Sequence, residues 1–302
     1  MVRVAVAPEG APEWVRDAVV AGGATLVAPA GAEAVVWFDA LHPEGLPPVL
    51  AAAADARWVH LPYAGVEPYV ALMDDGRTWS CGKGVYAEPV AEHAMVLTLA
   101  GLRDLPRRIT ARTWESRSGT SLYDRPVTIL GGGGIAEELV RHLSVYRCMI
   151  TVVRRRPEPL PGVARVLPTA ELHAALAGAQ VVFVALALTP ETTGIIDDAA
   201  LAAMDPTSWL VNVGRGGHVV TDDLVDALRA GTIAGAALDV TEPEPLPDGH
   251  PLWDLPNCII TPHTANTVEM ARPAIATRIT ENVRRFAAGE PLVGLVDPAA
   301  GY

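Results

Sequence analysis

Apolar and polar positions alternate along this chain in short buried runs separated by helical patterns. Residues 2–7 alternate as a strand, and residues 12–20, opened by Pro12, repeat their apolar positions at helical spacing. Apolar runs near 24–28, 34–38 and 57–61 predict further strands, with an alanine-rich helix at about 48–54. From Glu88 to Leu102 the pattern of Val90, Ala94, Leu97, Leu99 and Leu102 predicts a largely buried helix. Later strands are predicted over 181–186, 210–213, 236–240 and 258–261, and helices over 172–176 and 222–230, the second stopped by Gly231. Thr189-Pro190-Glu191-Thr192 reads as a turn and helix start, and residues 271–288 as an amphipathic helix ending at Gly289. Strands alternating with helices throughout predict an α/β protein built on parallel sheets.

One stretch, Val127 to Arg156, is more specific than the rest. An apolar run (Val127 to Leu130) enters Gly131 to Gly134, a helical pattern follows through Ile135, Leu139, Val140 and Leu143, and a second apolar run (Met149 to Val153) ends in three arginines. This is a strand–turn–helix–strand unit of the usual ~30 residues. Gly131 can take backbone angles barred to other residues, and Gly133 has no side chain to keep a pyrophosphate off the backbone. The helix N-terminus that follows offers unpaired N–H groups to phosphates. Ala136 at the third position of the G-x-G-x-x-A pattern suits close helix–strand packing.

Composition narrows the setting. A chain of 302 residues suggests about two domains, and 50% hydrophobic with 19% charged residues is globular. A net charge of −12 argues against a nucleic-acid-binding surface, and it makes the positions of arginines important for any anionic ligand. No apolar run reaches membrane-spanning length, and MVRVAVAPEG is interrupted by Pro8 too soon for a signal peptide. Cys81, Cys148 and Cys258 show neither metal nor redox spacing, so reduced thiols and a cytoplasmic location are expected.

Three segments just beyond predicted strands carry reactive side chains: Val211 to Gly217 with Arg215, Ala237 to Pro245 with Asp239, Glu242 and Glu244, and Ile260 to Asn266 with His263. In an open parallel sheet all three fall on the carboxyl edge that also bears the glycine loop. An arginine to hold an anion, a histidine to move a proton and a carboxylate to orient the imidazole and favour its charged form would make a coherent set. Each alone has a bland reading as a structural or solvated residue. The turn Leu61 to Glu67 lies at another strand end and reads equally as a ligand loop or a connection. Arg103, Arg107, Arg108, Arg112 and Arg117, with Trp114 among them, read as a solvated surface or subunit contact ahead of an anion site.

The segments VNVGRGGHV, GAALDVTEPEPLPDGHPLW and NCIITPHTAN resemble the signatures of the D-isomer-specific 2-hydroxyacid dehydrogenases, a likeness extended by VALALTPETTGIID and GVYAEPVAEHAMVLTL. The resemblance implies two Rossmann-like or flavodoxin-like α/β domains with doubly wound parallel sheets and an active site in the cleft between them. It places the substrate domain at 1–93 and 273–302 and the dinucleotide-binding domain at 94–272. It further implies a homodimer and a small-molecule 2-keto or 2-hydroxy acid substrate.

By position, the resemblance assigns Arg215 to substrate binding, Glu244 to partnering the histidine, and His263 to acid/base work. Tyr63, Ala64 and Gly65 would receive the substrate carboxylate. Gly131, Gly133, Gly134, Ile135, Thr189, Val213 and Asp239 would line the coenzyme, Asp239 near the nicotinamide amide. Three departures from the family pattern stand out: Asn266 replaces a small residue, Arg147 stands where glycine is common, and Arg154 replaces an acidic residue. A carboxylate at that strand end binds ribose hydroxyls and repels a 2′-phosphate, whereas arginine attracts it. Arg154 and Arg155 therefore favour NADP(H), with NAD(H) as the alternative. The expected activity is hydride transfer between that coenzyme and a D-2-hydroxy acid. A formate-dehydrogenase-like activity is disfavoured because that branch has glutamine at the position of Glu244. A dinucleotide-sensing, corepressor-type protein is the rival from another class.

Overall fold

Valine- and alanine-rich runs form two open, all-parallel sheets in the computed structural model, which describes residues 1–114 and 118–298. In chain order the first half gives β1 (Arg3–Ala7), α1 (Glu13–Ala21), β2 (Thr25–Leu26), β3 (Ala34–Trp37), α2 (Leu46–Ala52), β4 (Trp58–His60) and β5 (Thr78–Ser80). Two helices follow, α3 (Ala87–Leu102) and α4 (Leu105–Thr110). Next come β6 (Pro126–Leu130), α5 (Gly134–Val145), β7 (Met149–Val153), β8 (Arg165–Leu167), α6 (Leu172–Leu176), β9 (Val181–Val184) and α7 (Asp198–Ala202). The chain continues through β10 (Trp209–Asn212), α8 (Thr221–Ala230), β11 (Gly235–Leu238), β12 (Cys258–Ile260) and α9 (Val268–Ala288).

These elements form two compact units, Met1–Tyr86 with the segment from Thr267 onward, and Ala87–Asn266. The boundaries expected at 93/94 and 272/273 fall inside α3 and α9, each an unbroken helix. Arg117 lies outside the described residues.

The first unit carries a five-stranded sheet in the order β2-β1-β3-β4-β5. Its core gathers Val35, Trp37, Leu46, Val59, Leu61 and Tyr69, all nearly inaccessible to solvent. The C-terminal part of the chain joins this unit through α9, which starts at a Thr267 cap and stops at Gly289.

The second unit carries seven strands in the order β12-β11-β10-β9-β6-β7-β8. The chain runs outward from β6 through β8, returns to β9 beside β6, and runs outward on the other side. The order in which strands are added reverses between β6 and β9, the switch point at which ligands bind in such sheets. Register keeps the carboxyl ends level: Leu130 pairs with Val184, Val184 with Asn212, and Asn212 with Leu238. Buried Val181 to Val184 and Leu210 to Val211 are apolar on both faces, as a parallel strand covered by helices requires.

The helix expected to begin at Thr189 does not form there. The Thr192 hydroxyl accepts from the Thr189 N–H and donates to the Ala187 carbonyl, closing a turn instead. The helix starts at Asp198, where the Asp197 carboxylate caps the Ala200 N–H at 2.8 Å. No helix among the described residues is long and apolar enough to cross a membrane.

Candidate active site

β6 delivers the chain into Gly131 at φ 122°, and a Cβ there would lie 2.3 Å from the Ala185 carbonyl oxygen, so only glycine fits. Gly133 precedes α5, Gly134 and Ile135 form its first turn, and Ala136 is buried beneath it. No side chain caps this helix, which leaves its first N–H groups available for an anion. A Cβ on Gly133 would meet nothing within 4 Å, so a ligand can approach the backbone there. This cradle fits a dinucleotide pyrophosphate.

Arg154 follows β7 with its aliphatic stem packed over Gly132, where an added Cβ would come 2.6 Å from Cδ. Its guanidinium Nη2 donates to Glu158 Oε2 at 3.0 Å and its Nε to the Arg156 carbonyl. Arg155 lies close enough to Glu191 to help hold that carboxyl below its ordinary value, after the larger effects of hydrogen bonds from Thr189 and the Glu191 backbone. The glycine loop, the Arg154–Arg155 turn and the Thr189 loop therefore gather around one end of α5, and Val213, whose N–H donates to the Val184 carbonyl, sits buried beside them.

Farther along the same edge, Arg215 ends the β10 loop. Its backbone is held on both sides: Asn212 Nδ2 donates to the Arg215 carbonyl at 2.9 Å, and the Arg215 N–H donates to His218 Nδ1 at 3.1 Å. Gly216 has no alternative, because a Cβ would sit 1.9 Å from the Thr241 carbonyl oxygen. The arginine loop is thus pressed against the segment that leads from β11 to the glutamates.

Glu244 Oε1 lies 2.6 Å from His263 Nδ1. Glu244 therefore partners the histidine, and Nδ1 is committed to it, which leaves Nε2 as the nitrogen able to exchange a proton. Both side chains are about half exposed, so the pair is open to a ligand. His263 itself adopts φ 53°, a left-handed conformation unusual for a non-glycine residue. Asp239, nearly fully buried, stands behind it. Burial works against its charge, yet hydrogen bonds involving His93, Thr261, Thr264 and Ala265 outweigh it and hold the carboxyl below its ordinary value.

Tyr63, Ala64 and Gly65 belong to the first unit and follow β4 in a bend. Tyr63 is tilted between Phe38 and Tyr86, at ring distances of 6.0 Å and 5.9 Å. Asn266 is partly buried with its Oδ1 unpartnered. Among the arginines after α3, Arg107 pairs with Asp104 at 2.7 Å and Arg108 bonds the Arg103 and Ser118 carbonyls, a self-contained surface rather than a convergent anion site. Among the described residues, no group of three or more His, Cys, Asp or Glu side chains could hold a metal ion. Burial pushes the Cys148 thiol up to about 11 and the Cys258 thiol up to about 12, so neither is a ready nucleophile.

Three residues that matter to this geometry escaped the sequence reading. Asn212 and His218 hold the Arg215 backbone, and His93 reaches the Asp239 network from α3. His218, with its full burial, could be inferred only from its place directly after the double glycine.

A dinucleotide cradle at the switch point of a parallel sheet, with an arginine and a Glu–His pair on the same edge, defines an α/β nucleotide-dependent protein. Comparison with known proteins gives the family. Residues 93–265 match the D-isomer specific 2-hydroxyacid dehydrogenase, NAD binding domain. An uncharacterized protein in the proB 3′ region of Corynebacterium melassecola is 39% identical over 254 residues, covering 82% of this chain and 84% of its own. A D-isomer specific 2-hydroxyacid dehydrogenase from Xanthobacter autotrophicus Py2, solved with NADPH and MES, superposes with a TM-score of 0.86 at 29% identity, covering 100% of this chain and 99% of that one. An NADPH-dependent glyoxylate/hydroxypyruvate reductase from Sinorhizobium meliloti, solved with NADP and sulfate, gives 0.85 at 26% identity over 100% of both chains. The protein belongs to the D-isomer specific 2-hydroxyacid dehydrogenase family.

Proposed function

We propose that this protein reduces a small 2-keto acid to the D-2-hydroxy acid, and catalyses the reverse oxidation, with NADP(H) as preferred coenzyme and NAD(H) as the alternative. The observation that carries the proposal is the 2.6 Å His263–Glu244 pair on the sheet edge that also bears Arg215 and the glycine loop. Structural relatives solved with NADPH or NADP support the coenzyme, as does Arg154 at the end of β7.

Gly131, Gly133, Gly134 and Ile135 would hold the coenzyme pyrophosphate, Arg154 and Arg155 the 2′-phosphate, and Thr189, Val213 and Asp239 the remainder. When bound, the coenzyme supplies or accepts the hydride. The chain's own residues do the rest. Arg215 holds the substrate carboxylate, a planar anion that suits its guanidinium. His263 Nε2 gives a proton to the carbonyl oxygen during reduction and takes it back during oxidation. Glu244 keeps Nδ1 protonated and the ring in place throughout.

Reduced-coenzyme absorbance followed with glyoxylate, hydroxypyruvate and bulkier 2-keto acids tests the reading. Turnover with at least one is expected, and His263→Ala should lower it by at least ~10²-fold while coenzyme still binds. Tight coenzyme binding without turnover of any 2-keto acid would instead identify a dinucleotide sensor.

We also propose a cytoplasmic homodimer. Ile109 on α4 is 70% exposed and Trp114 beyond it 97% exposed, apolar surface that a second copy would cover. Sedimentation velocity is expected to give twice the chain mass; a monomer for both the wild type and Ile109→Glu would remove the dimer.

A further inference from the structure

His93 lies on α3, in a segment that the proposed chemistry leaves without a task. Its side chain is mostly buried, and its Nε2 is 3.0 Å from Thr261 Oγ1 and 3.4 Å from Asp239 Oδ1. The Thr261 hydroxyl has one proton, and at 2.6 Å it is donated to Asp239 Oδ1. The Thr261 oxygen is then left to accept from His93 Nε2–H. Asp239 passes the constraint on: Oδ1 accepts from the Thr264 N–H at 2.9 Å, Oδ2 from the Ala265 N–H at 3.0 Å, and its backbone carbonyl from the His263 N–H at 2.8 Å.

The residue at the middle of these bonds is the one in the left-handed region. A non-glycine residue there costs on the order of 1 kcal/mol, so the His263 backbone relaxes unless its neighbours are held. The relay from His93 through Thr261 and Asp239 holds the residues on its C-terminal side. Its far end is fixed because α3 is pressed onto the sheet, with Gly101 so close to Trp209 that a Cβ would lie 2.5 Å from the ring.

We infer that His93 is a positioning residue that fixes the backbone around His263 through Thr261 and Asp239, and so keeps the imidazole on Glu244. Its effect on turnover rests on the function proposed above; its effect on loop order does not.

The test compares the full-length wild type with His93→Phe, which fills the space without the hydrogen bond, and His93→Gln, whose amide N–H reaches toward the Nε2 position. Thr261→Val breaks the same relay from the other end. With NADPH and whichever 2-keto acid the wild type reduces, His93→Phe and Thr261→Val are each expected to lower kcat about 10- to 100-fold. The NADPH dissociation constant, read by fluorescence, should move less than about threefold. Amide exchange at Thr264 and Ala265 should accelerate about tenfold in both variants, His93→Gln should recover most of the loss, and the double variant should be no worse than either single one. Unchanged exchange at Thr264 and Ala265 in His93→Phe, or a His93→Gln variant as impaired as His93→Phe, would overturn the inference. A wild type without reductase activity would refute the proposed function, and the exchange comparison would still decide the role of His93.

Discussion

At Arg154 an internal carboxylate, that of Glu158, already takes the guanidinium that the proposed coenzyme site would offer to a phosphate. Glu158 is largely exposed, and an ion pair with one exposed partner of this kind contributes only about 0.2–1 kcal/mol. A phosphate held by charge-assisted bonds gains roughly 1.5–3 kcal/mol, so a coenzyme phosphate bound as proposed would displace Glu158. Arg154→Asp is therefore expected to raise the KM for NADPH by about 10- to 100-fold while lowering that for NADH, whereas Glu158→Gln should change the NADPH value by only about twofold. Steady-state kinetics with both coenzymes reads this directly. Parallel changes for NADPH and NADH in Arg154→Asp would show that the arginine does not discriminate the phosphate. Arg147 makes a different point at the same scale. It stands where glycine is common in the family because the backbone there takes φ 56°, and its guanidinium meets both Asp124 oxygens at 2.8 Å. The left-handed angle explains the glycine preference; the ion pair shows how a charged residue occupies the position.

Among the elements, legibility followed length and burial. β9 and β10 are apolar on successive positions, β6 is broken only by the buried Thr128, and the glycine turn after β6 has a distinctive chemistry, so the nucleotide-binding unit was readable from the chain alone. β5 and β8 are three residues each, too short to establish a period, and β8 is a partly exposed edge strand. α4 is a six-residue helix with no buried residue, and a helix without a buried face leaves no periodic signature. The candidate site divides the same way. Arg215, Glu244 and His263 were legible because reactive side chains follow predicted strands that must end on one sheet edge. The relay behind His263 was not, because it joins α3 to a loop 168 residues away and its histidine is surrounded by apolar helix positions. The left-handed angle of His263 was equally hidden, since nothing in Thr261-Pro262-His263-Thr264 requires it without the Asp239 bonds.

At the scale of the folded molecule, the buried histidine of the first sheet links stability to pH. His60 ends β4 fully buried, its Nδ1 2.9 Å from Ser80 Oγ, which also accepts from Trp58 Nε1 at 2.8 Å. Burial, aided by the positive charge of Arg278, lowers the His60 pKa to about 3 from an ordinary value near 6.5. Below about 6.5 the unfolded chain takes up a proton that the folded unit refuses until about 3, so the unfolded state holds more protons across that window. The stability from keeping His60 neutral is complete above the window and is lost as pH falls through it, amounting to ~2 kcal/mol between neutral pH and about pH 5. Because two units need not unfold together, the unfolding of the first is best followed by the fluorescence of its own tryptophans, Trp37, Trp58 and Trp79 among them. His60→Asn retains an amide near the Nδ1 position and removes the titration. The constant penalty of the smaller side chain cancels when melting temperatures at about pH 7.5 and about pH 5 are subtracted within each protein. The wild type should lose several degrees more than His60→Asn over that interval, about what ~2 kcal/mol produces in a unit of this size. Equal losses would mean that carboxylates elsewhere, and not His60, govern the acid limb of stability.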